Sequence, residues 1–272
     1  MKPYVILEKK VGETPLQCVE GWREAQPQAF ARMPLTYAGR LDPMASGQLL
    51  ILIGNECKQQ ANYHSLDKEY EFTVLLGTSS DSGDVLGLVS TSPLLPPINK
   101  NALRKIATVL TGSIELPYPQ YSAKTIQGKP LHTWAIEGRL GEITIPSKRS
   151  TIHSLQLISL ETKAAERVAL EALEKVNSLP AVTELRKSIG NDFRRPEVRT
   201  SWDAWKRENA GRNCQLATFR CTASSGTYMR TLAEVIAKKA GTSGLAFSIH
   251  RVKIGVYQPL PLRLSFWRRR LR

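Results

Sequence analysis

No stretch of this chain is apolar for long enough to cross a bilayer; the run Leu49 to Ile53 has only the length of a buried strand. The N-terminus lacks the succession of charged, apolar and small residues that marks a secretory signal. A cytoplasmic protein without membrane attachment is the expectation. Cysteine is scarce, and Cys18, Cys57, Cys214 and Cys221 are spaced like neither a redox motif nor a zinc knuckle. The four histidines are scattered, so no metal set emerges. Repeats and low-complexity tracts are missing too. Acidic residues are in deficit, with 24 Asp and Glu against 38 Lys and Arg, a formal charge of +14. Such a field favours a polyanionic partner through steering and counterion release.

What is present fits a folded protein: 272 residues, 42% of them hydrophobic, are enough for a sizeable core. Val5 to Leu7 reads as a strand. Thr14 and Pro15 suit the N-cap and first turn of a helix, with Leu16 and Val19 on its inner face. Thr36 to Gly47 reads as a shaped loop before the Leu49–Ile53 strand, and Asn55 to Tyr63 as a helix. Tyr70, Phe72, Val74 and Leu76 alternate onto one face of a strand. Leu103 to Leu110 has helical spacing, and 117–130 reads as an irregular, mobile basic loop. Thr151 to Leu160 and Gln215 to Thr222 are sequential strands flanking a charged helical stretch, and Thr227 to Ala240 is a helix. Strands and helices mix without βαβ alternation, which makes α+β the fold class.

The chemistry centres on Tyr37-Ala-Gly-Arg-Leu-Asp42-Pro-Met-Ala-Ser-Gly47. Apolar Leu41 and Pro43 flank the carboxylate, Gly39 and Gly47 let the backbone bend, and the following strand supplies a rigid support. This run resembles the catalytic loop of the TruB family of pseudouridine synthases. The resemblance continues through Gly54-Asn-Glu-Cys-Lys58, Lys68-Glu-Tyr70, Leu76-Gly77 and Asp81-Ser-Gly-Asp84-Val-Leu-Gly87. Further on it takes in Tyr121-Ser-Ala-Lys124, Gln127-Gly128-Lys129, Ser225-Gly226-Thr-Tyr228-Met-Arg230 and Ile249-His-Arg251.

The resemblance implies a pseudouridine-synthase-like fold, a mainly antiparallel mixed sheet with flanking helices and RNA-binding loops. It also implies isomerisation of uridine to pseudouridine at position 55 of the tRNA T-arm, by a cytoplasmic monomer using no cofactor. Asp42 would act as nucleophile or cation stabiliser at the glycosidic carbon, as carboxylates do in sugar chemistry. Arg230 would be its counter-charge. Tyr70 would stack on the base and take part in proton transfer, and Ile249 would pack on the base's other face. Gly39, Arg40, Leu41, Tyr121 and Tyr228 are expected to bind substrate, and Lys58, Lys124, Lys129 and Arg251 to contact phosphates.

The sequence departs from the family at several positions. Tyr37 stands where a base-flipping histidine is usual; its ring could still stack on a base. Arg40 is more typical of the RsuA and RluA synthases, and Lys10 replaces a proline between Lys9 and Gly12. The alternatives are therefore an RsuA- or RluA-like ribosomal RNA synthase and a non-catalytic chaperone for tRNA. Residues 1–272 are read as one catalytic domain with a helical insert at about 161–212, a basic tail from Phe266 to Arg272, and no room for a C-terminal PUA domain. The insert, with Leu170, Leu173, Val176, Leu185 and Ile189 as its apolar positions, is expected at the tip of a long hairpin, far from Asp42.

Overall fold

The computed structural model describes residues 2–91, 96–180, 192–259 and 265–268. β1 (Tyr4–Lys9) leads into α1 (Pro15–Glu24), whose entry is a full capping box: Thr14 accepts from Gln17 N–H, and the Gln17 side chain accepts from Thr14 N–H. Cys18 and Val19 form its buried face; Leu16 instead points outward at 54% exposure. β2 (Leu35–Ala38) and β3 (Ala45–Ile53) shorten the expected loop to 39–44, because pairing with β3 extends both ends of the motif. A 3-10 helix over Gly54–Tyr63 follows, then β4 (Asp67–Leu76). Phe72 and Val74 are fully buried on the alternating face of β4.

The small ribbon β5 (Thr78–Ser80) and β6 (Val89–Thr91) brackets the Asp81–Gly87 turn. α2 (Lys100–Val109) and β7 (Gly112–Pro117) precede a loop that contains a tight hairpin, β8 (Thr125–Ile126) and β9 (Lys129–Pro130), and ends in α3 (Leu131–Ile136). The remainder is β10 (Ser147–Ala164), α4 (Ala165–Asn177), α5 (Arg195–Glu208), β11 (Asn213–Ala223), α6 (Met229–Lys239), β12 (Gly244–Pro259) and β13 (Ser265–Arg268). β13 turns part of the expected basic tail into a strand on β12.

The main sheet runs β1-β3-β12-β4-β11-β10-β7, with β2 added on β3 and β13 on β12. Every pairing in it is antiparallel except β3 with β12. The fold is thus α+β with a mainly antiparallel sheet. Gly47 makes the exception sterically feasible: its φ is +105°, and a Cβ there would lie 2.3 Å from the Arg251 carbonyl oxygen.

β10 and β11 do pair as the expected hairpin, but the helices between them are not remote. Ala45, just after Asp42, is level with Ile249; Ile249 is level with Phe72, Phe72 with Phe219, and Phe219 with Leu157. The hairpin tip at Ala164 and Asn213 lies seven and six residues beyond that level. α4 and α5 then fold back, because each must bury an apolar stripe. Val168, Ala169, Ala172 and Val176 of α4, with Val198, Trp202 and Trp205 of α5, enter the same core cluster as Phe72, Phe219 and Leu232. The Trp202 and Trp205 indoles donate to the Val85 carbonyl and the Thr78 hydroxyl. Leu185 and Ile189 lie outside the described residues.

Candidate active site

Asp42 sits in the six-residue turn between β2 and β3, and several of the surrounding carbonyls have donors. Asp42 C=O accepts from Ala45 N–H. Pro43 C=O accepts from Gly12 N–H at 2.9 Å and from Lys9 Nζ at 3.4 Å. The Arg251 guanidinium donates to Gln48 C=O at 2.7 Å, Gly39 C=O at 2.8 Å and Arg40 C=O at 3.4 Å. Lys9 and Arg251 are 0% and 1% exposed; Arg251 fastens the loop directly, while Lys9 makes its shorter bonds to the Glu13 and Lys10 carbonyls, at 2.6 and 2.8 Å. Burial, only partly countered by Glu13, brings the Lys9 ammonium down to about 8. The expected phosphate contact at Arg251 therefore gives way: its guanidinium is spent on the loop's own backbone.

Arg230, in the first turn of α6, lies 188 positions from Asp42 and meets it at 2.9 Å through Nε. Its other nitrogens donate to Ser82 C=O at 2.9 Å and Tyr121 C=O at 3.2 Å, and Asp84 stands 3.7 Å away. Burial works against this guanidinium's charge, but Asp42 and Asp84 outweigh it and hold the group above its usual value. The Arg230 side chain is 5% exposed and the Asp42 side chain 38%. The counter-charge is thus sealed in while the carboxylate faces a cleft of about 540 Å³.

Tyr37, Gly39, Arg40, Leu41, Tyr70, Tyr121, Tyr228, Ile249 and Arg251 all line that cleft with Asp42 and Arg230. Tyr37 is half-buried against the small cluster of Cys18, Val19, Leu49 and Ile51, and its carbonyl accepts from Gln60. Tyr70 and Ile249 come from adjacent strands, and Arg40 is exposed. Burial, then the Asp42 charge, pushes the Tyr228 hydroxyl up; burial and then Asp81 do the same for Tyr121. Lys58, Lys124 and Lys129 do not line the cleft. Lys58 is exposed on the 3-10 helix, Lys124 lies 5.4 Å over the Tyr118 ring, and Lys129 is paired with Glu137 at 2.7 Å.

Sequence reasoning missed several cleft residues. Lys68 is 5% exposed and donates to Leu66 C=O and the Ser225 hydroxyl. Burial, reinforced by Arg251, lowers it to about 8. Its place two residues before Tyr70 was the available signal. Leu16 reaches the cleft mouth from α1, and Arg194 reaches it from the insert. Among the described residues no cluster of His, Cys, Asp and Glu could hold a metal ion, and no helix is long and apolar enough to cross a membrane.

A family model described as TruB family pseudouridylate synthase (N terminal domain) matches residues 29–177, over half of the chain. The chain belongs to the TruB family. Its TruB relatives include the tRNA pseudouridine synthase B of Caldicellulosiruptor saccharolyticus, 28% identical over 94% of this chain and 69% of that protein. The tRNA pseudouridine synthase 4 of Saccharomyces cerevisiae is 29% identical over 78% of this chain and 59% of its own length. The chain thus spans about three fifths to seven tenths of these two TruB-like relatives. Among solved structures, one chain in a crystal structure of a Cbf5-Nop10-Gar1 complex shares the fold, with TM-score 0.53 and 14% identity over 93% of this chain and 48% of that one. The TruB match ends at the last residue of α4, so Arg194 and α5 lie beyond it.

Proposed function

We propose that this protein isomerises uridine to pseudouridine in tRNA, at position 55 of the T-arm, with Asp42 as the nucleophile. The observation that carries the reading is the Asp42–Arg230 pair at 2.9 Å, its carboxylate open to the cleft and its guanidinium buried. A target base inside a folded arm must leave its stack to reach that carboxylate. The cleft offers it Tyr70 on β4 and Ile249 on β12, an aromatic and an aliphatic side chain on neighbouring strands. Asp42 then takes the ribose C1′ as the bond to uracil N1 breaks. The uracil turns, C5 bonds to C1′ as the carboxylate departs, and C5 gives up its proton while N1 gains one. Tyr70 lines the same cleft and is the candidate for proton transfer. Atoms and electrons balance without a cofactor, and a monomer suffices because both members of the ion pair come from one chain.

A tRNA chaperone would have no need of a buried arginine holding a carboxylate open to solvent. The test is to incubate the protein with unmodified tRNA transcript and, separately, with ribosomal RNA fragments, and to map pseudouridine by carbodiimide labelling. Product at position 55 of tRNA alone supports the reading; product only in ribosomal RNA, or none, overturns it. Asp42→Asn keeps the shape and loses the nucleophilic charge, so it should abolish turnover while RNA affinity stays within a few-fold. Substantial turnover by that variant would remove Asp42 from the chemistry.

A further inference from the structure

The back-folded insert places one residue in the cleft that the TruB match does not reach. Arg194 opens α5 in a left-handed backbone conformation, φ +56°, immediately before the helix. Its guanidinium forks onto Asp81, with Nη1 to Oδ2 at 2.6 Å and Nη2 to Oδ1 at 3.2 Å, and lies 4.4 Å over the Tyr121 ring. The Tyr121 hydroxyl donates to the same Asp81 carboxylate at 3.4 Å. The Arg194 side chain is 17% exposed, so the pair is largely withdrawn from water.

What Arg194 grips is what holds Arg230. Asp81 anchors its turn by accepting Leu88 N–H at 2.9 Å, and the next residue, Ser82, gives its carbonyl to Arg230. Tyr121 gives Arg230 its other carbonyl. Two segments far apart in sequence thus meet Arg230 side by side, and Arg194 reinforces the weak Tyr121–Asp81 hydrogen bond that joins them. The insert is itself fixed at other points. Lys175 Nζ donates to Phe247 C=O at 2.6 Å. Ser178 packs so closely on Gly12 (φ +84°) that a Cβ there would lie 2.4 Å from the Ser178 carbonyl oxygen. Gly12 in turn donates to Pro43 C=O, next to Asp42.

We propose that Arg194 is a positioning residue: by clamping Asp81 to Tyr121 it fixes the two carbonyls that aim Arg230 at Asp42. The inference rests on the isomerase reading above. An arginine suits the task because a flat guanidinium can fork onto a carboxylate and stack on an aromatic ring at once, which a lysine cannot. With its charge already matched by Asp81, it has little left for a phosphate.

The test measures single-turnover pseudouridine formation at saturating tRNA alongside tRNA affinity. Arg194→Ala should slow the chemical step by about 10- to 100-fold, the scale of a misplacement near the reacting atoms, with affinity within about 2-fold. Arg194→Lys should recover only part of the rate. Asp81→Ala, which also loses the Tyr121 hydroxyl's acceptor, should be at least as slow as Arg194→Ala, and the double variant should be no slower than Asp81→Ala, because removing Asp81 already opens the whole clamp. If Arg194→Ala does not fold, Arg194→Gln, which keeps the stem and loses the charge, takes its place in the same cycle. An unchanged rate overturns the proposal. So does a loss confined to affinity with a salt slope smaller by about 1, which would make Arg194 a phosphate contact. Additive effects of Arg194 and Asp81 substitutions would overturn it as well. A wild-type protein that forms no pseudouridine in any RNA would instead remove the isomerase reading, an outcome distinct from these.

Discussion

Replacing Arg251 by methionine separates two roles that look alike in the sequence. As a phosphate contact, Arg251 would matter to RNA and little to folding. As built, it donates at 2.7 and 2.8 Å to two carbonyls around the Asp42 loop and more weakly, at 3.4 Å, to a third, while 1% exposed. Hydrogen bonds from a charged group contribute about 1.5 to 3 kcal/mol each, so the two short ones are together worth about 3 to 6 kcal/mol. Met fills much of the volume and removes the cost of burying a charge, which returns part of that. A net loss of about 2 to 4 kcal/mol is expected, or a fall in Tm of about 4 to 16 °C for a chain of this size. The assay is a pair of urea and thermal melts on Arg251→Met, with tRNA affinity measured across salt. A Tm within about 2 °C of the parent, combined with a salt slope smaller by about 1, would refute the structural role and restore the phosphate contact.

Gly47→Ala should destabilise by more than about 1 kcal/mol and disturb the loop, since its Cβ would sit 2.3 Å from the Arg251 carbonyl oxygen; a melt equal to the parent's would contradict the strand geometry. Tyr37→Phe should keep most of the activity and Tyr37→Ala lose it, as stacking needs only the ring; equal damage in both would implicate the hydroxyl. Lys9, Lys68 and Lys175 are lowered by burial to about 8 from 10.5, so between those values the unfolded chain binds more protons and their contribution to stability rises with pH. Above about pH 9 the buried thiols of Cys18 and Cys214, raised by burial to about 11, act in the opposite sense. The stability gap between the parent and Lys9→Met should therefore widen between pH 8 and about 9, and urea melts showing a constant gap would refute the assignment.

The parts legible in the sequence were those written in local patterns or in an ordered set of motifs. Thr14-Pro15 announced α1, and alternation from Tyr70 to Leu76 announced β4. The motifs pair Asp42 with Arg230, and the two side chains meet at 2.9 Å. What escaped depends on where the backbone goes in three dimensions. Arg251 and Lys9 have the side chains of solvated cations, and their backbone acceptors come together only in the fold: the Asp42 loop's carbonyls for Arg251, and chiefly those of Glu13 and Lys10 for Lys9. Leu16 has the helical spacing of a core residue, yet its neighbours Cys18 and Val19 take the buried face. The insert sits nearer Asp42 than the length of a straight hairpin implies, because its helices fold back. Trp202 and Trp205, the residues that most demand burial, pull α5 back over the sheet.

The position of β12 in the sheet has a consequence for how the protein comes to exist. β12 lies between β3 and β4 and is, among the described residues, the only strand that joins the β1–β2–β3 unit to the rest of the sheet. A growing polypeptide can close the β10–β11 hairpin early, from neighbouring strands. It cannot bring the Asp42 loop to the Tyr70 strand until β12, made long after β3 and β4, has slotted in between. Arg251, which fastens that loop, arrives on the same strand. Closure of the cleft should therefore be slow, as pairings between strands far apart in sequence are. A chain without β12 would hold the two halves of the cleft unjoined, so the cleft should form in one step, when β12 docks.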